Sequence, residues 1–322
     1  MPLKALYFDE FGKSDVLKYG EVPEPELQAN EVLVKTTYIG LNFADIYRRR
    51  GEYHIEQHQP LINGYEASGK IVKLGQAVDS ELMDKEILFV DVPLANAEFV
   101  AVPTDKLIFL PTGIDLKLAA SIGLQGLTAD FLAHDLGKDM LNSDVFVTGI
   151  SGGVGQILAQ MLVADGMNVY GSASTNQKKQ IALRQGSKAV FSSRNDDWVA
   201  GQRGRFDTVY DGVGATLNQS ISLIKNRGKV VFFGMAGGNP PQVDFIDLFS
   251  HSKNIMSGDL WDFLTSFEER KVRSERLFSY FLDHKIWITK PRIFDLKDGQ
   301  AAHDYIETGK NVGKILLQTA HN

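Results

Sequence analysis

The sequence predicts an α/β protein in which a doubly wound parallel sheet is inserted into a mostly β domain. Three observations lead there. Short alternating or β-branched runs punctuated by Gly and Pro fill the N-terminal third, runs from Val145 onward alternate with helical stretches, and two more strand-like runs close the chain. At 322 residues the chain has room for two domains of about 150 residues each.

Taken in order, strands are expected at residues 3–8, 32–38, 67–74, 87–92 and 99–102, separated by Gly12, Pro23, Pro25, Gly51, Pro60, Gly64, Gly75 and Pro93. Helical spacing interrupts them only around 44–50. Near Leu118 the period changes, and Ala119, Ala120, Ile122, Leu124, Leu127, Ala129 and Leu132 recur at three and four, as on a helix face. Strands then follow at 145–148, 168–171, 189–191, 208–210, 229–233 and 254–257. Their starts lie about 20–25 residues apart, the length of a βα repeat, and such alternation implies a parallel sheet with helices on both faces. A helix over 267–277 carries mixed charges that read as a solvated face. Strands at 292–294 and 314–317 cannot form a domain alone, so the tail is expected to return to the N-terminal unit. The expected domains are therefore 1–122, 123–262 and a returning segment 263–322.

Composition narrows the function. Hydrophobic residues at 43% and charged residues at 23% describe a chain that folds on its own rather than a disordered one. Lys and Arg number 34 against 40 Asp and Glu, a net charge of -6, so no overall basic field exists for nucleic acid or an anionic membrane. The absence of cysteine excludes disulfides, cysteine metal sites and a thiol nucleophile, and suits a reducing compartment. Asp9 and Glu10 interrupt any N-terminal apolar region and no run of 18 apolar residues follows, so a soluble, cytoplasmic protein without a signal peptide is expected.

The strongest local signal is Gly149-Ile150-Ser151-Gly152-Gly153-Val154-Gly155, between the 145–148 strand and a helix whose Val154, Ile157, Leu158, Met161 and Leu162 share one face. Glycines there allow a tight turn, let main-chain N–H groups approach a pyrophosphate, and let the helix pack close to the sheet. Dinucleotide binding follows. An acidic residue about 20 positions on, which would take the ribose 2′-hydroxyl of NAD, is missing. Ala173, Ser174, Thr175 and Asn176 stand there, and no Asp or Glu occurs between Asp165 and Asp196, whereas Lys178, Lys179, Arg184, Lys188 and Arg194 do. Hydroxyls and a lysine suit a 2′-phosphate, which favours NADP(H) over NAD(H).

Several segments together resemble the zinc-free, zeta-crystallin-like quinone oxidoreductases of the medium-chain dehydrogenase/reductase superfamily. These are Gly40-Leu41-Asn42-Phe43-Ala44-Asp45-Ile46-Tyr47 with Gly51 and Tyr53, Gly64-Tyr65-Glu66-Ala67-Ser68-Gly69, Gln125-Gly126-Leu127-Thr128-Ala129, the glycine turn, Tyr210-Asp211-Gly212-Val213-Gly214, Phe233-Gly234 and Gly313-Lys314. The similarity covers nearly the whole chain. It implies a chaperonin-10-like catalytic domain built from both chain ends, an inserted Rossmann domain, and a homodimer or homotetramer joined partly through the Rossmann sheets. By position, it places Asn42, Tyr53 and Thr128 at the nicotinamide end, Ser151, Gly152, Gly153 and Val154 at the pyrophosphate, and Ser174, Lys178 and Ser193 at the 2′-phosphate of NADPH. It sets Val213, Gly234, Met235, Gly258, Asp259 and Leu260 along the cofactor. The chain departs from the pattern at Asn63, at Asp84-Lys85-Glu86-Ile87, in the short 89–99 segment, and at Ser193, where a tyrosine or histidine is common.

Zinc relatives need a cysteine and Gly-His-Glu; this chain has Gly64-Tyr65-Glu66 and no cysteine, so Glu66 reads as a structural or electrostatic element. His54 and His58, near Glu56, read as loop residues rather than a metal pair, and His134, His251, His284, His303 and His321 are scattered. No metal is expected. Without one, an acceptor must spread the negative charge that hydride delivery creates, which suits quinones and conjugated enones. Tyr53 is placed either to donate a hydrogen bond or proton, or to pack over the cofactor, and Asn42 to orient substrate or nicotinamide; Asp45 and Tyr47 read as helix-terminus and packing residues. The expected activity is NADPH-dependent quinone reduction. The alternatives are NADPH-dependent reduction of 2-enoyl or alkenal double bonds and, in another class, a non-catalytic NADPH-binding protein.

Overall fold

The structure, a computed structural model, describes residues 2–319, so His321 lies outside the described residues. The chain divides into two compact units. The first holds the N-terminal part through Leu124, Leu264–Phe278 and the chain from Lys290 onward; the second holds Gln125–Phe263 and Ser279–Thr289.

The first unit is built around the eleven-residue strand Glu31–Leu41. Its residues 31–35 pair with Phe99–Pro103 and its residues 38–41 with Ile315–Gln318, while Glu66–Leu74 lies along its other edge. Arg292–Asp295, Glu86–Val90 and Leu107–Phe109 complete this seven-stranded sheet. A three-stranded sheet of Lys18–Val22, Leu3–Phe8 and Leu61–Ile62 stands beside it. Strands 18–22, 61–62 and 107–109 escape the sequence reading because they are short or show little alternation. Alternation in the long strands buries one apolar set, and Leu6, Phe8, Ile39, Phe89, Val102 and Leu317 sit in one core. Each such side chain stabilises the fold by about 1.5–3 kcal/mol.

The second unit is a six-stranded parallel sheet in the order Ala189–Ser192, Asn168–Ala173, Asp144–Val147, Phe206–Asp211, Ile224–Phe232, Asn254–Ser257. This is the 3-2-1-4-5-6 order of a doubly wound sheet, and it agrees with the predicted fold class. The fifth strand begins five residues before the predicted Lys229, because residues 224–228 continue the strand through polar, exposed Lys225, Asn226 and Arg227, which the apolar pattern does not flag. Segment 279–289 is held in this unit by hydrogen bonds from the Tyr280 hydroxyl to Asp165 (2.6 Å) and from the Trp287 N–H to Gln160 (3.0 Å).

On the charged helix Phe267–Leu282 the expected solvated face holds for Glu268, Lys271 and Glu275, which are exposed, and is corrected at two arginines. Arg270 and Arg273 are buried. Arg270 donates to the carbonyls of Val90 (2.8 Å) and Leu264 (3.2 Å), and its charge faces the Asp91 carboxylate at 3.7 Å.

His303, on the helix Gly299–Glu307, is fully buried in the first unit. Its Nδ1 lies 3.0 Å from Nη1 of Arg49, and arginine only donates, so Nδ1 accepts and the ring is neutral. Burial, and then the Arg49 charge, push its pKa from 6.5 to about 3. The unfolded imidazole takes up a proton below 6.5 while the folded one does not until about pH 3. Stability is therefore full above 6.5 and falls with pH by about 1.4 kcal/mol per unit toward 3. Urea unfolding over this range is expected to show a shallower decline in His303→Gln than in the wild type; parallel slopes would assign the decline to other groups.

Candidate active site

In the first unit the N-terminus of the helix Phe43–Arg49 gathers several polar side chains away from water. Glu66, at the start of its strand, is fully buried and pairs with the equally buried Lys314. Asn42 lies between them: its Oδ1 accepts from the Lys314 ammonium (2.9 Å) and its Nδ2 donates to Glu66 (2.9 Å) and to the Gly40 carbonyl (3.3 Å). An amide with a cation on one side and a carboxylate on the other has one allowed orientation. The second Glu66 oxygen accepts the Leu124 N–H at 2.7 Å. Gly40 makes this approach possible, since a Cβ there would collide with the Glu66 carboxylate.

Asp45 is buried beside this group, where its Oδ2 accepts the Asn42 N–H (2.9 Å) and its Oδ1 faces Arg48 (3.3 Å). Burial raises its pKa, opposed by the Arg48 charge. Tyr53 lies half-buried in the following loop, its ring 4.3 Å from that of His54. His58 points its Nδ1 at the Pro60 carbonyl, 2.7 Å away. Asn63 donates to the Asp45 carbonyl (2.7 Å) and so braces the same helix.

In the second unit the turn after Asp144–Val147 is shaped by Gly149 in the left-handed region (φ 58°), and a Cβ on Gly155 would strike the Gly149 carbonyl. Gly152 opens the twelve-residue helix Gly153–Ala164 with no side-chain cap. Its first N–H groups thus form an anion-facing helix end of the kind that suits a pyrophosphate. The Ile150 N–H bonds the Ser172 carbonyl (3.1 Å), tying the turn to the next strand. At the ends of Asn168–Ala173 and Ala189–Ser192, the Ser193 N–H bonds the Ala173 carbonyl (3.1 Å), which brings Ser193 beside Ser174. Lys178, near the start of the helix Asn176–Arg184, has its pKa lowered by burial and then by the charge of Arg194. A second cation acting on Lys178 suits an anionic group. The sequence reading named Arg194 only among scattered bases, because nothing in the spacing brings residues 178 and 194 together.

Asp211 organises the other cofactor-side residues. Its buried carboxylate accepts the N–H groups of Val213 (2.8 Å) and Gly214 (3.0 Å) and the Ser220 hydroxyl (2.6 Å). The N–H of Gly237 reaches the Val213 carbonyl (2.8 Å), so Val213 lies close to the turn carrying Gly234 and Met235. Gly258 packs against Phe131, one turn along the helix from Thr128, and Asp259 accepts the Trp261 N–H at 3.4 Å just after it. The structure places Asn42 and Tyr53 in the first unit and Thr128, Ser151–Val154, Ser174, Lys178, Ser193, Val213, Gly234, Met235 and 258–260 in the second.

Replacing Lys314 by Met leaves the Glu66 charge buried without its counter-ion. The expected loss of stability is about 3–5 kcal/mol, read from urea unfolding at pH 7. A loss below about 1 kcal/mol would mean that the cluster contributes little to the fold.

Comparison with known proteins places these features in context. Residues 28–112 match the family described as alcohol dehydrogenase GroES-like domain, and residues 153–266 the family described as zinc-binding dehydrogenase. A probable quinone oxidoreductase of Schizosaccharomyces pombe is 31% identical, over 95% of this chain and 94% of that protein. A 2-haloacrylate reductase of Burkholderia is 27% identical over 95% and 96%. Escherichia coli quinone oxidoreductase, solved with NADPH, superposes with a TM-score of 0.90 at 28% identity, over 98% of this chain and 99% of that one. The zinc in the second family's description has no fitting donor set here. The chain lacks cysteine, no group of three or more acidic or histidine side chains among the described residues is arranged to hold a metal, and Glu66 is engaged by Lys314, Asn42 and Leu124. The chain belongs to the quinone oxidoreductases of the medium-chain dehydrogenase/reductase superfamily.

Proposed function

We propose that the chain is a zinc-independent, NADPH-dependent reductase of quinones, acting in the cytoplasm. The observation that carries the reading is the 31% identity to a probable quinone oxidoreductase across nearly the full length of both chains. The glycine turn and the Lys178–Arg194 pair fit NADPH in detail. Main-chain N–H groups of Ser151 to Val154 would hold the pyrophosphate, and Ser174, Lys178, Ser193 and Arg194 the 2′-phosphate. Thr128, Val213, Gly234, Met235, Gly258, Asp259 and Leu260 would border the rest. Once bound, the reduced nicotinamide supplies the hydride. Tyr53 donates a hydrogen bond to the acceptor oxygen as negative charge builds there, and the locked Asn42 amide fixes the geometry around it.

The second reading, reduction of an activated carbon–carbon double bond, is favoured by the resemblance to a 2-haloacrylate reductase. Oxidation of NADPH and NADH measured with 1,4-benzoquinone, 9,10-phenanthrenequinone, an alkenal and a 2-enoyl thioester separates the readings. Quinone turnover preferring NADPH is expected. Preferential enone turnover would move the assignment to double-bond reduction, and silence with every acceptor would leave a cofactor-binding protein. Arg194→Ala is expected to raise the KM for NADPH about tenfold and leave that for NADH nearly unchanged, as removal of a charge-assisted phosphate contact requires. An equal effect on both cofactors would overturn the 2′-phosphate assignment.

The partner proposed is a second copy of this chain. Asn254–Ser257 is the last strand of the parallel sheet, and beside it the helix Phe245–Ser250 exposes Phe245, Ile246 and Phe249 by 73–84% of their surface. Such an unpaired edge next to an apolar patch suits sheet continuation across a twofold axis. Sedimentation velocity is expected to report a dimer for the wild type and a monomer for Phe249→Asp. A variant that sediments like the wild type would place the interface elsewhere.

A further inference from the structure

The proposed site gives no role to Arg48, one of the charges buried beside it. Arg48 is fully buried on the helix Phe43–Arg49, with Nε donating to the His54 carbonyl (3.0 Å) and Nη1 to Asp45 (3.3 Å). Its guanidinium carbon lies 3.8 Å from the ring centre of Tyr65 and 5.0 Å from that of Tyr53. Nη2 has no hydrogen-bond partner among the described residues. Stability does not call for this arrangement, because a buried ion pair replaced by well-packed apolar side chains is often neutral or better, and an unsatisfied buried N–H costs more.

The anchoring explains it. Tyr65 takes the position of histidine in the Gly-His-Glu of zinc relatives, is itself buried, and accepts the Glu56 N–H at 2.8 Å. It gives the guanidinium a fixed floor, and the bonds to Asp45 and His54 fix its edge. The same anchored cation also lies over the ring of Tyr53, which meets the ring of His54. The same Asp45 carboxylate that holds Arg48 accepts the Asn42 N–H, so one buried anion connects the Asn42 backbone with the cation stacked on Tyr53.

We infer that Arg48 is a positioning residue for the reduction, holding the Tyr53 ring in register with Asn42 through a guanidinium that contacts the rings of both Tyr65 and Tyr53. This rests on the reading that Tyr53 meets the acceptor. The cation on the ring face also draws electron density from the phenol oxygen, which strengthens its O–H as a donor to an oxyanion.

The test uses the full chain labelled with 3-fluorotyrosine, the Tyr53 resonance being assigned by its loss in Tyr53→Phe. Arg48→Met removes the cation at similar length. Arg48→Lys keeps a counter-charge for Asp45, so it protects the fold, but lacks the planar face. Both variants are expected to shift the Tyr53 fluorine line, with kcat for the quinone falling about tenfold in the methionine variant and about threefold in the lysine variant while the KM for NADPH stays within about twofold. If both keep the wild-type line and kcat while Tyr53→Phe loses turnover, the inference fails and the role of Tyr53 stands. If Tyr53→Phe turns over like the wild type, the reading of Tyr53 fails and the inference falls with it. A loss of thermal stability alone, with line and kcat unchanged, makes Arg48 a packing residue and overturns the proposal.

Discussion

A carboxylate and an ammonium taken wholly out of water are tolerable only when each satisfies the other and the remaining hydrogen-bond positions are filled. Glu66 and Lys314 meet that condition through Asn42 and the Leu124 N–H. The cluster draws on four separated stretches of the chain, and a shift in any of them would leave a charge unpaired. Geometry at Asn42 is thereby over-determined. Its amide cannot flip, and its backbone N–H is held by Asp45, so the residue meets any ligand with a fixed face. Glu66 is thus committed to an internal salt link, and its neighbour Tyr65 supplies an aromatic surface to Arg48.

The second unit achieves order by another means. Its cofactor-side loops are held less by side-chain pairs than by main-chain N–H groups converging on Asp211 and by glycines that let backbone approach backbone. Phosphates are recognised well by such surfaces because uncapped N–H groups at a helix start present partial positive charge with no side chain in the way. The proposed selectivity between cofactors rests instead on side chains, with the charge of Arg194 acting on Lys178.

Much of this was legible in the chain. The glycine turn, the βα repeat and the missing acidic residue after the second strand are local features, each set within about 30 residues, so the parallel sheet and a dinucleotide site could be read directly. Asn42, Asp45, Tyr65 and Glu66 were visible as motif members. Their partners were not. Lys314 lies 272 positions from Asn42, Arg194 lies in a run of ordinary basic residues, and Arg270 and Arg273 look like any solvated helix charges. A side chain's burial depends on what the rest of the chain brings to it, and periodicity carries no record of that.

By itself, the sequence determined the two kinds of architecture, the βα rhythm of the second unit, the absence of cysteine ligands and the glycine turn at a helix start, because all of these follow from local pattern and residue type. Only the tertiary structure decided the protonation state of His303, the orientation of the Asn42 amide, the partner of Glu66 and the contact of Arg48 with two tyrosine rings. These are pairwise matters of charge and hydrogen bonding at low dielectric, where the energy of a group is set by neighbours a few ångströms away in space and often hundreds of residues away in the chain.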